Sequence, residues 1–136
     1  MPVAKSSTEI SVTGNKKIRT LQKEFNKKFP YLQLCIFFSD ARQQVAKGES
    51  ICQISADRTL ASVRRADSGG NISISGNKKV ESLESEFDKV FGLYVQICYT
   101  DKEGNGYYTS GSFDEMTLSA LNEHGEKNGW KKGVTR

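Results

Sequence analysis

The sequence predicts an α+β fold in which two copies of a β-α-β-β-α unit pack as one pseudo-symmetric body. Three observations predict it. Residues 10–29 (ISVTGNKKIRTLQKEFNKKF) align without a gap on residues 72–91 (ISISGNKKVESLESEFDKVF), and 11 of the 20 positions are identical. Within each copy, an alternation of apolar and polar residues gives way to apolar residues spaced three and four apart. Turn-forming residues punctuate both copies at matching places.

Ile10 and Val12 alternate with Ser11 and Thr13, as Ile72 and Ile74 do with Ser73 and Ser75. Each set is a strand with one apolar face. Gly14-Asn15 and Gly76-Asn77 end these strands, the glycine allowing a tight turn and the asparagine offering a helix N-cap. Ile18, Leu21, Phe25 and Phe29 then fall on one helical stripe, and Val80, Leu83, Phe87 and Phe91 on its counterpart. Pro30 and Gly92 stop the helices.

Strands follow over 31–38, with Leu32, Leu34, Ile36 and Phe38 on one face, and over 93–100, with Val95, Ile97 and Tyr99 on one face. After one inserted residue the copies match again, Leu32-Gln33-Leu34-Cys35 facing Val95-Gln96-Ile97-Cys98. Beyond that they differ. The second has a turn, DKEGNG, leading to a strand at Tyr107-Tyr108-Thr109. The first has a looser polar stretch and then a third strand over 50–54. Each unit closes in a short helix capped by Asp57 or Asp114, where Asp57-Arg58-Thr59-Leu60-Ala61 echoes Glu115-Met116-Thr117-Leu118-Ser119.

Strand–helix–strand connections this short imply parallel, right-handed pairing inside each unit. Units of about 60 residues bury little surface alone, so the two are expected to pack together. The resulting organisation is a flexible N-terminus at 1–8, repeat units at 9–66 and 67–124, and a polar tail at 125–136 from which Trp130 can dock back. The stretch 64–70 (RRADSGG) is the expected hinge.

With 36% hydrophobic and 26% charged residues among 136, the composition is that of a globular protein and not of a disordered chain. The longest apolar run, near 34–38, is too short to cross a membrane, and residues 1–8 hold no apolar signal core, so a cytoplasmic place and no membrane partner are expected. Three widely spaced cysteines, Cys35, Cys52 and Cys98, form no disulfide framework and no CxxC pair. With a single histidine, His124, they suggest no metal set and no cofactor. The net charge of +4 hides a split: 12 Lys+Arg against 5 Asp+Glu in 1–66, and 8 against 11 in 67–136.

The phrases ISGNKKVxxLxxEFxxxFGLxVQI and DRTLASVR resemble a class of small bacterial proteins that carry this unit in tandem, and the resemblance covers nearly the whole chain. It implies the fold and carries no activity with it.

Three surfaces are candidate sites. The first is the repeated GNKK turn, where Asn15, Lys16, Lys17, Asn77, Lys78 and Lys79 stand at helix N-termini whose free N–H groups favour anions. The plainer account is an asparagine cap followed by solvated lysines. The second is the outer stripe of the first helix: Lys16, Arg19, Lys23 and Lys27 share roughly 80° of arc. Such a stripe suits phosphates or an acidic protein surface, or simply keeps the protein soluble. Its counterpart, Lys78, Glu81, Ser85 and Lys89, is broken. The third is the sheet face turned from the helices, carrying Ser11, Thr13, Tyr31, Gln33, Cys35 and Phe37 in one copy and Ser73, Ser75, Gln96, Cys98 and Thr100 in the other. There, two sheets or two chains are expected to meet.

No nucleophile with a base, no acid–base pair and no metal set is legible, so no catalytic residue is named. The leading expectation is a non-catalytic protein-interaction module built by tandem duplication, its partner another protein or a second copy of itself. The alternative is binding of a nucleic-acid backbone through the basic first helix.

Overall fold

A computed structural model describes residues 9–49, 51–65 and 70–132. The expected flexible segment 1–8, Ser50 of the expected third strand, residues 66–69 of the linker and the last four residues of the tail lie outside the described residues. The architecture is mixed α+β with two antiparallel sheets. In chain order it runs β1 (Ile10–Val12), α1 (Ile18–Lys28), β2 (Gln33–Phe38), α2 (Ala41–Ala46), α3 (Leu60–Val63), β3 (Ile72–Ile74), α4 (Val80–Phe91), β4 (Leu93–Thr100), β5 (Gly106–Tyr108), a 3-10 helix (Gly111–Glu115) and α5 (Leu118–Lys127).

The expected parallel pairing inside each unit does not occur. β1 pairs with β3, and β2 with β4, both antiparallel, and β5 joins the outer side of β4. The registers set aligned positions opposite each other: Ser11 faces Ser73 and Leu34 faces Ile97. The physical reason is burial. A lone strand–helix–strand unit would leave the apolar face of its helix half-covered. Pairing across the units joins both apolar faces into one core. Ile18, Leu21, Phe25 and Phe29 of the first copy and Val80, Leu83, Phe87 and Phe91 of the second are all buried in a single cluster with Leu34, Ile36, Val95 and Ile97. Each fully buried large apolar side chain contributes about 1.5–3 kcal/mol.

Two local expectations are also corrected. Asn15 and Asn77 are not helix caps. The turn at each GNKK closes by Lys16 N–H to Thr13 O (3.2 Å) and Lys78 N–H to Ser75 O (3.2 Å), and the N-cap positions are Lys17 and Lys79, without a side-chain cap bond. The following loops do the capping instead. Ile18 N–H donates to Arg58 O (2.9 Å), Arg19 N–H to Ala56 O (2.8 Å) and Val80 N–H to Met116 O (3.0 Å). In return Leu60 N–H donates to Lys16 O (3.0 Å) and Leu118 N–H to Lys78 O (2.9 Å). Likewise α3 and α5 are capped by Thr59 and Thr117, whose hydroxyls accept from Ser62 N–H and Ala120 N–H, and not by Asp57 or Asp114.

The looser polar stretch contains α2, and residues 51–54 form no ladder strand. The fold also continues into the expected polar tail: α5 runs to Lys127, Gly125 is buried, and Trp130 is buried and stacked on Tyr99 at 3.9 Å between ring centroids.

Candidate functional site

Side chains alternate across β2 and β4, so Gln33, Cys35, Phe37, Tyr94, Gln96 and Cys98 turn away from the main core. One half of this second face is closed. Phe37, Cys35 and Tyr94 form a small buried cluster with Ala41 of α2, joined by Val45 and Ile51, and Arg42 lies 4.7 Å from the Tyr94 ring centroid. The other half is open. It forms a cleft of about 420 Å³ lined by Gln22, Gln33, Leu34, Cys35, Gln53, Cys98, Tyr99, Thr100, Gly106, Tyr107 and Tyr108. Covering by α2 is thus what closes half the face on which two sheets or two chains were expected to meet.

The Cys98 thiol is pushed up from its ordinary pKa by a hydrogen bond with the Cys35 thiol and by burial. That direction favours the neutral thiol at physiological pH. The two edges of the three-stranded sheet differ. On the β2 side, Gln22 Nε2 donates to Leu34 O (3.0 Å) and to Gln53 Oε1 (2.9 Å), Gln53 Oε1 accepts from Ile36 N–H (3.2 Å), and Ile54 N–H donates to Ile36 O (3.0 Å). The Gln22 and Gln53 amides, with the Ile54 backbone, seal that edge. On the β5 side nothing comparable is seen among the described residues. Tyr107 (47% exposed) and Tyr108 (43% exposed) are the large hydrophobic side chains left to solvent there. Tyr107 leans on Tyr99 (5.4 Å between centroids) and Tyr108 meets Phe37 edge-on (6.2 Å).

The residues singled out on the helix ends lie elsewhere. Lys16 bonds Ser11 O and pairs with Glu24, and Lys78 pairs with Glu86 in the same way. Arg19 pairs with Asp57, and its hydrogen bond holds the Asp57 carboxyl below the usual range. Asn15, Lys17, Lys23, Lys27, Asn77 and Lys79 are exposed. A cleft of about 550 Å³ gathers Lys16 and Lys27 with Glu9, Ile10, Ser11, Glu24 and Lys28. The α4 surface has its own cleft of about 460 Å³, lined by Glu81, Ser82, Ser85, Glu86 and Lys89, which includes none of Asn77, Lys78 and Lys79. The first N–H groups of α1 and the first of α4 already have carbonyl partners, which removes donors from any anion there.

One cluster has no signal in the sequence. Glu84 of α4 and Asp114 of the 3-10 helix each carry a buried carboxylate oxygen without a hydrogen-bond partner. Burial, then the nearby Asp114 charge, pushes the Glu84 carboxyl up to about 7, and burial raises Asp114 as well. The two are 30 residues apart in the chain, and only the packing of the 3-10 helix on α4 joins them. Among the described residues no three His, Cys, Asp or Glu side chains are placed to hold a metal, and no helix is long and apolar enough to cross a membrane.

Comparison with family models, with curated proteins and with solved structures finds no match to this chain. The functional reading therefore rests on the site.

Proposed function

We propose that this chain is a non-catalytic protein-interaction module built by tandem duplication, its two units packed about a pseudo-two-fold axis. The observation that carries the interaction reading is the coincidence of the exposed pair Tyr107 and Tyr108 with an unsealed sheet edge and the cleft beside it. Adjacent exposed aromatics on such an edge mark a binding surface, since tyrosine supplies contact area at low entropy cost. Two registers support the duplication: the serines Ser11 and Ser73, aligned in sequence, face each other, and so do Leu34 and Ile97. That is the arrangement a two-fold relation between fused copies produces.

The test compares the wild type with a Tyr107→Ser/Tyr108→Ser double variant. Light scattering over a salt series and affinity retention from a lysate are measured for both. A self-association, or a set of retained proteins, that the double variant loses is the expected result. A strict monomer at every salt that retains nothing sinks the reading.

A second reading, binding of a nucleic-acid backbone, draws on α1, which has no acidic residue in its first turn, Lys27 and Lys28 in its last, an exposed Lys17 at its N-cap and an exposed Lys23 along it. It is weakened by Lys16 and Arg19, both tied to carboxylates. Binding to single- and double-stranded DNA and RNA at about 50 and 200 mM salt decides it, because phosphate contacts lose affinity steeply over that range. No salt-sensitive binding rejects it.

A further inference from the structure

Resting on the interaction reading and going further, we propose that β5 accepts an extended, uncharged peptide segment of a partner protein as a fourth strand of the β2-β4-β5 sheet, with one partner side chain seated in the cleft of about 420 Å³.

The backbone geometry supplies the first support. Asp101 N–H donates to Asn105 O (2.9 Å) and Thr109 N–H to Ile97 O (2.9 Å), and Tyr107 faces Tyr99 between them. In an antiparallel ladder the bonded pairs recur at every second residue. Asn105, Tyr107 and Thr109 therefore spend their backbone groups on β4, while Gly106 and Tyr108 direct theirs outward. Both are exposed. The opposite edge is closed by Gln22 and Gln53, so an added strand has one edge to join.

Gly106 supplies the second. Its φ is not positive, and a Cβ built on it would meet nothing within 4 Å. Neither the backbone nor the packing of this chain demands glycine there. A bare backbone on an edge strand beside a cleft suits the close approach of another backbone.

The chemistry of the cleft selects the partner. No Asp, Glu, Lys, Arg or His side chain lines it. Gln33, Gln53 and Thr100 offer donors and acceptors, and the Cys98 thiol is neutral. A charged side chain buried here would lose its hydration with no counter-charge in return, whereas a neutral polar or aromatic one is matched. A strand adding its backbone to the outward groups of Gly106 and Tyr108 satisfies them, and a helix cannot.

The test selects binders to the full-length chain from a displayed library of random 12-residue peptides, then resynthesises them with single backbone N-methyl groups. The proposal expects a period of two: methylation at alternate residues weakens binding about tenfold, the loss of one backbone bond, and at the intervening residues barely. Tyr108→Pro removes an outward N–H, and Gly106→Val fills the mouth of the cleft where nothing obstructs it. Gly106→Val is expected to keep the wild-type melting temperature, and both variants are expected to weaken binding about tenfold or more.

Selected peptides that show no alternation, or that bind both variants unchanged, overturn strand addition while leaving the chain an interaction module. Failure to select any peptide overturns it too, and the tyrosine double variant then judges the interaction reading separately. A dimer that Tyr108→Pro dissolves makes a second copy the occupant and overturns the peptide assignment.

Discussion

Gly125 leaves no room for a side chain. A Cβ there would lie 2.5 Å from Trp130 Cε3 and 3.1 Å from Tyr31 Cβ, so any larger residue pushes the indole off its stack on Tyr99. Gly125→Ala is expected to cost about 1–3 kcal/mol of stability and to shift the emission of Trp130, the only tryptophan. Unchanged stability and emission would show that the indole does not pack there as described. Glu84 is the second residue with a consequence of its own. Its carboxyl is raised from an ordinary 4.5 to about 7 by burial and by the Asp114 charge. A carboxyl whose folded pKa is raised adds its stability fully below the unfolded value and loses it as pH climbs through the folded one. Melting temperature is therefore expected to fall between about pH 4.5 and pH 7, and Glu84→Gln is expected to flatten that slope and melt higher than the wild type at pH 8. An identical slope in the variant would assign the effect to other groups.

At the scale of elements, the sealed edge of β2 depends on two side chains doing what a neighbouring strand does elsewhere. Gln22 sits on α1, is only 9% exposed, and reaches Leu34 O and Gln53 Oε1. Removing it leaves the Leu34 carbonyl without that donor, while Gln53 Oε1 keeps Ile36 N–H, and an unsatisfied carbonyl costs about 1–3 kcal/mol. Gln22→Ala, measured by denaturant titration, is expected in that range, with hydrogen exchange at Ile36 N–H quickened. A cost below about 0.5 kcal/mol would make the amide ornamental to the edge. The same scale explains the misplaced caps. GNKK reads as strand, cap, helix when taken alone, because asparagine is a good cap. The carbonyls of Arg58 and Met116 reach the helix starts from some forty residues away, and no local pattern announces them.

At the scale of the whole molecule, both sheets are built from strands of different units. β1 and β2 have their ladder partners in β3 and β4, so unfolding of either half breaks both cross-pairings and leaves only the β4–β5 hairpin within one half. Unfolding is therefore expected to be one two-state transition, with Trp130 emission, which reports on the second unit, and far-UV circular dichroism coincident in denaturant. Two separated transitions would show that the units are independent domains. The same cross-pairing sets the two edges of the larger sheet apart, one sealed by glutamines and one ending in β5, so the halves differ most where the exposed tyrosines lie.

Much of this was legible in the chain itself. The positions of α1, α4, β4 and the DKEGNG turn follow from period-two and period-three-to-four spacing and from glycine and proline placement, all of which act within a few residues. The buried stripes of Phe25, Phe29, Phe87 and Phe91 follow in the same way. Strand partners did not, because a short crossover is compatible with parallel pairing until a second unit offers a better partner. The covering of Phe37 and Tyr94 by α2, the meeting of Glu84 with Asp114, and the open cleft beside β5 were likewise decided only in three dimensions. They depend on which surfaces the packed core leaves unfilled, and that is a property of the assembled molecule, which local spacing does not encode.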